Sequence, residues 1–199
     1  MLLLPDYQLY VGSSLDRSVL VKFMQQTYQE LFPGGNISHL ADTVDRYFSK
    51  DTPLWLVEFL DKGEDDPDRL PSNKNSFLPS PRDGGIEGGK EKRGYSHRVA
   101  CLWMGNAIDQ VSGDRHAHIF LLYVLPEHRR QGIATALIGL GEEWAKARGD
   151  RQIGLQVFLV NQPAVNLYSK LGFQTHSLWM VKPIKKMLRT PAFQPGDES

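Results

Sequence analysis

A chain of 199 residues, 41% hydrophobic and 23% charged, has the size and balance of a folded domain with a sizeable core. Lysine plus arginine and aspartate plus glutamate both number 23, and this formal net charge of zero argues against a general nucleic-acid binder, which needs a basic surface. The single cysteine, Cys101, excludes an intrachain disulfide, and the opening Met1-Leu2-Leu3-Leu4-Pro5 is too short for a signal or membrane segment, so a cytoplasmic location is expected.

Residues 7–11 predict a short strand. Over 15–31, Leu15, Val19, Leu20, Phe23, Met24, Tyr28 and Leu31 recur at helical spacing, with Ser14 or Asp16 as the cap. Pro33-Gly34-Gly35 ends that helix. A second helix is predicted over 38–47, with Leu40, Val44, Tyr47 and Phe48 on one side, and a strand over 53–60. Residues 61–95 differ from the rest. They hold Pro67, Pro71, Pro79 and Pro81, two Gly-Gly pairs and many mixed charges. Such a composition does not bury enough apolar surface to order itself. A flexible insertion within one domain spanning 1–188 is expected, a solvated loop or a lid anchored by Phe77, Leu78 and Tyr95.

Strands are predicted over 97–107 and 115–125, on either side of a turn at Ser112-Gly113-Asp114. Cys101 lies in the first of them and reads as core. A helix over 133–148 ends at Gly149, a C-cap. A strand over 153–159 follows, then a helix over 162–171 with Pro163 near its start and Gly172 at its close. One or two last strands are expected over 173–183, and a frayed tail over 189–199. This alternation predicts an α/β (α+β) fold, with one mixed, twisted central sheet and helices on both faces.

Chemistry concentrates in Arg129-Arg130-Gln131-Gly132-Ile133-Ala134, between an apolar strand and a helix. N–H groups at a helix start lack intrahelical partners, and the helix dipole favours negative charge there. Gly132 and Ala134 let an anion approach the main chain, and Arg129 and Arg130 add positive charge. The turn therefore reads as a phosphate site. A nucleotide-binding P-loop is excluded, because the long glycine-rich loop with its lysine is missing.

Arg129, Gly132 and Ala134, with the lead-in Tyr123-Val124-Leu125-Pro126-Glu127-His128, are followed by Asn161, Ala164, Leu167-Tyr168, Lys170 and Gly172-Phe173. The two motifs in this order resemble the GNAT superfamily of acyl-CoA-dependent N-acyltransferases. The resemblance covers roughly residues 118–184. It implies the GNAT fold, whose central strands splay to admit acetyl-CoA as cosubstrate, and N-acetyltransferase activity on a primary amine. The pyrophosphate is then expected on Arg129, Arg130, Gln131, Gly132, Ile133, Ala134 and Thr135, and the pantetheine arm along Leu122, Tyr123 and Val124. Asn161 is expected to bind that arm or to cap the helix after it.

By the same resemblance Tyr168 donates a proton to the departing thiolate. Many family members carry a carboxylate on the strand before the turn, but Phe120, Leu121 and Leu122 fill its last positions here. His118 falls where histone acetyltransferases carry a glutamate and arylalkylamine acetyltransferases a histidine. It is the expected base, with His116 two residues away on the same strand face. Glu58 is the next candidate. The acceptor site is expected at 31–38 and 175–180, with Phe32, Trp55, Trp103 and Trp179 as lining. The acceptor itself, a small molecule or a protein amine, is not encoded legibly. No metal, nucleic-acid or membrane partner is expected, and the protein is read as a monomer or homodimer. The alternative is a non-catalytic module that binds acyl-CoA and regulates a partner.

Overall fold

The computed structural model describes residues 1–60 and 97–184. The expected insertion over 61–95, with Phe77, Leu78 and Tyr95, and the tail over 189–199 lie outside the described residues. Among the described residues there are six strands, four α-helices and two 3-10 turns. The strands are β1 (Leu2–Leu4), β2 (Tyr7–Val11), β3 (Leu54–Phe59), β4 (His97–Ile108), β5 (Arg115–Val124) and β6 (Ile153–Leu155). The helices are α1 (Arg17–Leu31), α2 (His39–Tyr47), α3 (Ile133–Ala147) and α4 (Gln162–Lys170).

The strands lie in chain order in one sheet. The first four pairings are antiparallel, and β5 to β6 is parallel, with α3 as the crossover. The sheet is thus mixed, as expected, because only a connection that returns to its starting end can make a parallel pair.

Helices cover both faces. On one, α1 and α2 bury Leu20, Phe23, Met24, Leu40 and Val44 against Leu54, Leu56, Cys101, Trp103, Leu121 and Tyr123. On the other, Ile133, Leu137 and Ala145 of α3 meet Val57, Ala100, Leu102, Met104, Ala117, Ile119 and Val124. Each fully buried aliphatic side chain contributes about 1.5–3 kcal/mol. Asp16, one of the two expected caps, is the N-cap of α1 but makes no capping bond from its side chain to the helix; the 3-10 turn before it, Ser14–Asp16, is closed by a capping box in which Ser13 and Asp16 bond reciprocally. The Leu2–Leu4 strand was not predicted; it forms because Leu2 and Leu4 find partners in Gln8 and Tyr7.

Two departures shape the site. The pairing of β4 with β5 slips between Trp103 and Met104, so Phe120 is an extra residue on β5. Below this bulge Ala117 and Ile119 face α3; above it Leu121 and Tyr123 face α1. The bulge therefore reverses the alternation and puts His116, His118, Phe120, Leu121 and Tyr123 all toward α1 and α2. The second departure is β6, which stops at Leu155 instead of running to 159. The strands expected over 173–183 are absent: Leu178, Trp179, Met180 and Val181 are 75–87% exposed and carry no ladder. Their composition suits a strand, but a strand exists only when an edge accepts it in register.

Candidate functional site

The early end of β6 opens the sheet. Its ladder with β5 covers Ala117, His118 and Ile119. Beyond Ile119, β5 continues to Val124 and, among the described residues, pairs only with β4. The Leu125 N–H donates to the Val99 carbonyl of the β4 side at 2.8 Å. By antiparallel alternation, Tyr123 also turns its main-chain groups to β4, whereas Leu122 and Val124 turn theirs to the open edge. Of the three residues expected to meet a pantetheine arm, Leu122 and Val124 thus offer main-chain groups, and Tyr123 offers none.

The open edge leads into the motif turn. Pro126 to His128 form a single 3-10 turn, and Arg130 (φ 65°) and Gly132 (φ 84°) both adopt left-handed backbone. Gly132 suits this conformation; Arg130 holds it at a cost, of order 1–2 kcal/mol. Gly132 is the N-cap of α3 and has no side chain to bond the first amides. The first helical bond from this cap is Ala136 N–H to Gly132 O, at 3.0 Å. The N–H groups of Ile133, Ala134 and Thr135 precede it and have no intrahelical acceptor. Alternating left-handed residues before such a helix start make a concave anion cradle.

The turn is braced on two sides. From the N-terminal hairpin, the Tyr7 hydroxyl and His128 Nδ1 lie 3.1 Å apart, and Phe59 stacks on the His128 ring. From α1, Glu30 accepts from the Tyr123 hydroxyl and from Arg129 Nη2, each at 2.6 Å. Arg129 also donates through Nε to the Val124 carbonyl at 2.9 Å and lies over the Tyr123 ring. The Tyr123 phenol is pushed well above its ordinary pKa, first by burial and then by the Glu30 carboxylate. A cleft of about 380 Å³ borders this network, lined by Gln26, Gln29, Glu30, Tyr123, Leu125, Pro126 and Glu127. Glu30 was missed from sequence. A lone glutamate near the end of a helix carries no signal there, and only the packing of α1 on β5 brings it to the turn.

His118 stands just below the opening, opposite Gly154 of β6, with its ring 5.4 Å from Phe120. His116 is the next ring, 6.3 Å away. A Cβ at Gly154 would meet His116 Nε2 at 2.8 Å, so the glycine lets the His116 ring lie close against β6. Burial first, and the neighbouring His116 second, lower the His118 pKa below 6.5. The ring is therefore neutral at pH 7 and able to accept a proton. Its Nδ1 is buried with no hydrogen-bond partner among the described residues.

Tyr168 lies on α4 against Phe173, and burial pushes its phenol up to about 12. It keeps its proton at neutral pH, as a donor must. Asn161 accepts from Ala164 N–H at 3.3 Å, so it caps α4. Glu58, the reserve base, faces Arg98 at 3.5 Å on β3, two strands from the opening and about 10 Å away. Cys101 is fully buried, and burial raises its thiol far from the reactive range.

The aromatic candidates for the acceptor side separate cleanly. Trp103 is core, Trp55 packs on Trp144 under α3, and Trp179 is 82% exposed. Only Phe32 stands at the opening, edge-on to Phe158 at 4.9 Å, with Tyr28 against both. Phe158 belongs to the branch that leaves the sheet after β6, so this cluster bridges the gap on the α1 side.

Residues 91–173 match the profile of the Acetyltransferase (GNAT) family. An uncharacterized N-acetyltransferase of Methanocaldococcus jannaschii is 38% identical over 74 residues, which are 37% of this chain and 31% of that protein. Human N-acetyltransferase 8 is 29% identical over 92 residues, 40% of each chain. These matches thus span well under half of the curated relatives' length. Among solved structures, a predicted acetyltransferase with acetyl-CoA from Clostridium acetobutylicum superposes with a TM-score of 0.59 at 16% identity, over 89% of this chain and 96% of that one. No described helix is long and apolar enough to cross a membrane. The family match takes in β5, the motif turn and α4, and the superposition shows a shared fold: over residues 91–173 the chain is similar to the Acetyltransferase (GNAT) family.

Proposed function

We propose that the protein is an acetyl-CoA-dependent N-acetyltransferase that passes the acetyl group directly to a primary amine. The observation that carries this reading is the continuous main-chain track from the unpaired amides at 133–135 to the open edge of β5 at Val124 and Leu122. The pyrophosphate sits on the amides of Gly132 to Thr135, with Arg130 and Gln131 at the mouth of the turn. The arm runs along the edge toward Phe120, which brings its acyl end to the level of His118. The thioester supplies an acyl carbon open to attack.

The chain's own residues handle two protons. The attacking amine needs its lone pair free, and His118, neutral at pH 7, accepts the proton that the amine sheds. The carbon–sulfur bond breaks as the carbon–nitrogen bond forms, and Tyr168 gives its proton to the leaving thiolate. No acyl-enzyme is formed, since the one cysteine is sealed in the core. The acceptor enters from the α1 side past Phe32 and Phe158, because α3 fills the other face. Its location in the cell is proposed as cytoplasmic, and its assembly as monomer or homodimer.

Calorimetric titration with CoA tests the reading. Gly132→Glu puts a negative charge at the amides, and affinity is expected to fall at least tenfold, about 1.4 kcal/mol. Gly132→Ala carries the same backbone strain without the charge and separates the two effects. Undiminished CoA binding by folded Gly132→Glu would remove the site from this turn.

A further inference from the structure

Arg129 belongs to the phosphate motif, yet its guanidinium is committed elsewhere. Nη2 bonds Glu30 Oε2 at 2.6 Å and Nε bonds the Val124 carbonyl at 2.9 Å. Its remaining face lies over the Tyr123 ring, 5.7 Å from the centroid, and the Tyr123 hydroxyl closes the loop onto the other oxygen of Glu30 at 2.6 Å. Phe23 of α1 in turn stacks on Tyr123 at 5.4 Å. Four groups on two elements and a turn are thereby fixed relative to one another.

The bonded carbonyl is at the open edge. Above Phe120, Val124 and Leu122 are the two residues whose main-chain groups face away from β4. An edge carbonyl without a ladder partner is free to tilt. A carbonyl oxygen has two lone pairs, so an Arg129 donor fixes its direction and leaves one lone pair for an incoming amide N–H. The planar guanidinium delivers Nε and Nη2 at a set angle, which a lysine does not reproduce. The charge of Arg129 is meanwhile balanced by Glu30, which weakens its pull on a phosphate.

We infer that Arg129, held by Glu30, is a positioning residue for the Val124 carbonyl at the open edge and serves the thioester's pantetheine arm, not its phosphates. This role rests on the reading that the edge of β5 receives that arm. Tyr123 supports it by holding the second oxygen of Glu30.

The two ends of the cosubstrate can be tested separately. Full-length protein is titrated with CoA and with pantetheine, which has the arm but no phosphate. Wild-type protein that binds CoA upholds the parent reading; failure to bind CoA removes that reading and this role with it. Arg129→Ala is expected to weaken both ligands by the same factor, about fivefold, the worth of one hydrogen bond. Arg129→Lys keeps the charge and is expected not to rescue either. Glu30→Ala, with its fold checked by thermal melting, is expected to match Arg129→Ala, and the double variant to add nothing further. A loss confined to CoA, or rescue by lysine, makes Arg129 a phosphate ligand and overturns the inference. Equal additive losses in the double variant overturn the Glu30 link. If Arg129→Ala does not fold, Arg129→Lys and Glu30→Ala carry the same comparison.

Discussion

The two halves of β5 both send side chains into the core, yet their backbones are put to opposite use. Below Phe120, Ala117 and Ile119 are locked between ladders on both sides and packed on α3. Above it, 121–124 keep one ladder, and Leu122 and Val124 present main-chain groups to an open edge. Each half contributes core side chains, Ala117 and Ile119 below and Leu121, Tyr123 and Val124 above. The difference is which backbone groups are already spent. A strand can therefore be fully apolar and still be a polar binding surface. The bulge adds the other half of the device, because it turns His116 and His118 to the same face as Tyr123.

The largest effect expected from breaking this arrangement is at the acyl end. Tyr168→Phe removes the donor while keeping the ring on Phe173, and turnover is expected to fall about a hundredfold with little change in CoA affinity. Steady-state kinetics beside calorimetry check this, and an equal fall in affinity would make Tyr168 a binding residue.

Histidine 118 sharpens the comparison from the closed half. His118→Ala is expected to cost about tenfold or more in turnover at neutral pH. In the proposed mechanism His118 works in its neutral form, and its pKa is lowered, so the wild-type rate should decline only as pH drops below 6.5. The variant should lose that acidic limb. The same shift predicts a stability effect with a definite sign. The folded state resists protonation more than the unfolded one, so wild-type stability falls as pH drops from 6.5 through the lowered folded value. Melting temperature against pH should be flatter in the variant. An unchanged pH–rate profile would move the base to another group.

Proline separates the two edges of one strand. Tyr123→Pro deletes an N–H used by the β4 ladder and is expected to prevent stable folding. Leu122→Pro deletes one that faces the opening. It should fold and bind CoA about fivefold more weakly, by the loss of one hydrogen bond. Equal behaviour of the two variants in melting and titration would refute the assignment of the edge. The smallest effect is expected at Cys101, where Cys101→Ala should leave turnover as it is. Lost activity in a folded variant would overturn direct transfer.

The sequence alone determined the local grammar. Helical spacing placed α1 and α3, Gly149 marked the end of α3, and the motif from Arg129 to Ala134 located the turn at the start of a helix. These depend on neighbours a few residues apart, and such terms are written in consecutive letters. Tertiary structure decided everything that depends on a partner far along the chain. The length of β6, the missing ladder over 173–183, the slip at Phe120 and the arrival of Glu30 at Arg129 were not legible. Apolar runs over 153–159 and 173–183 had strand composition, but a ladder needs an edge as well as a sequence. Glu30 and Arg129 lie 99 residues apart, and only the packing of α1 across β5 makes them neighbours.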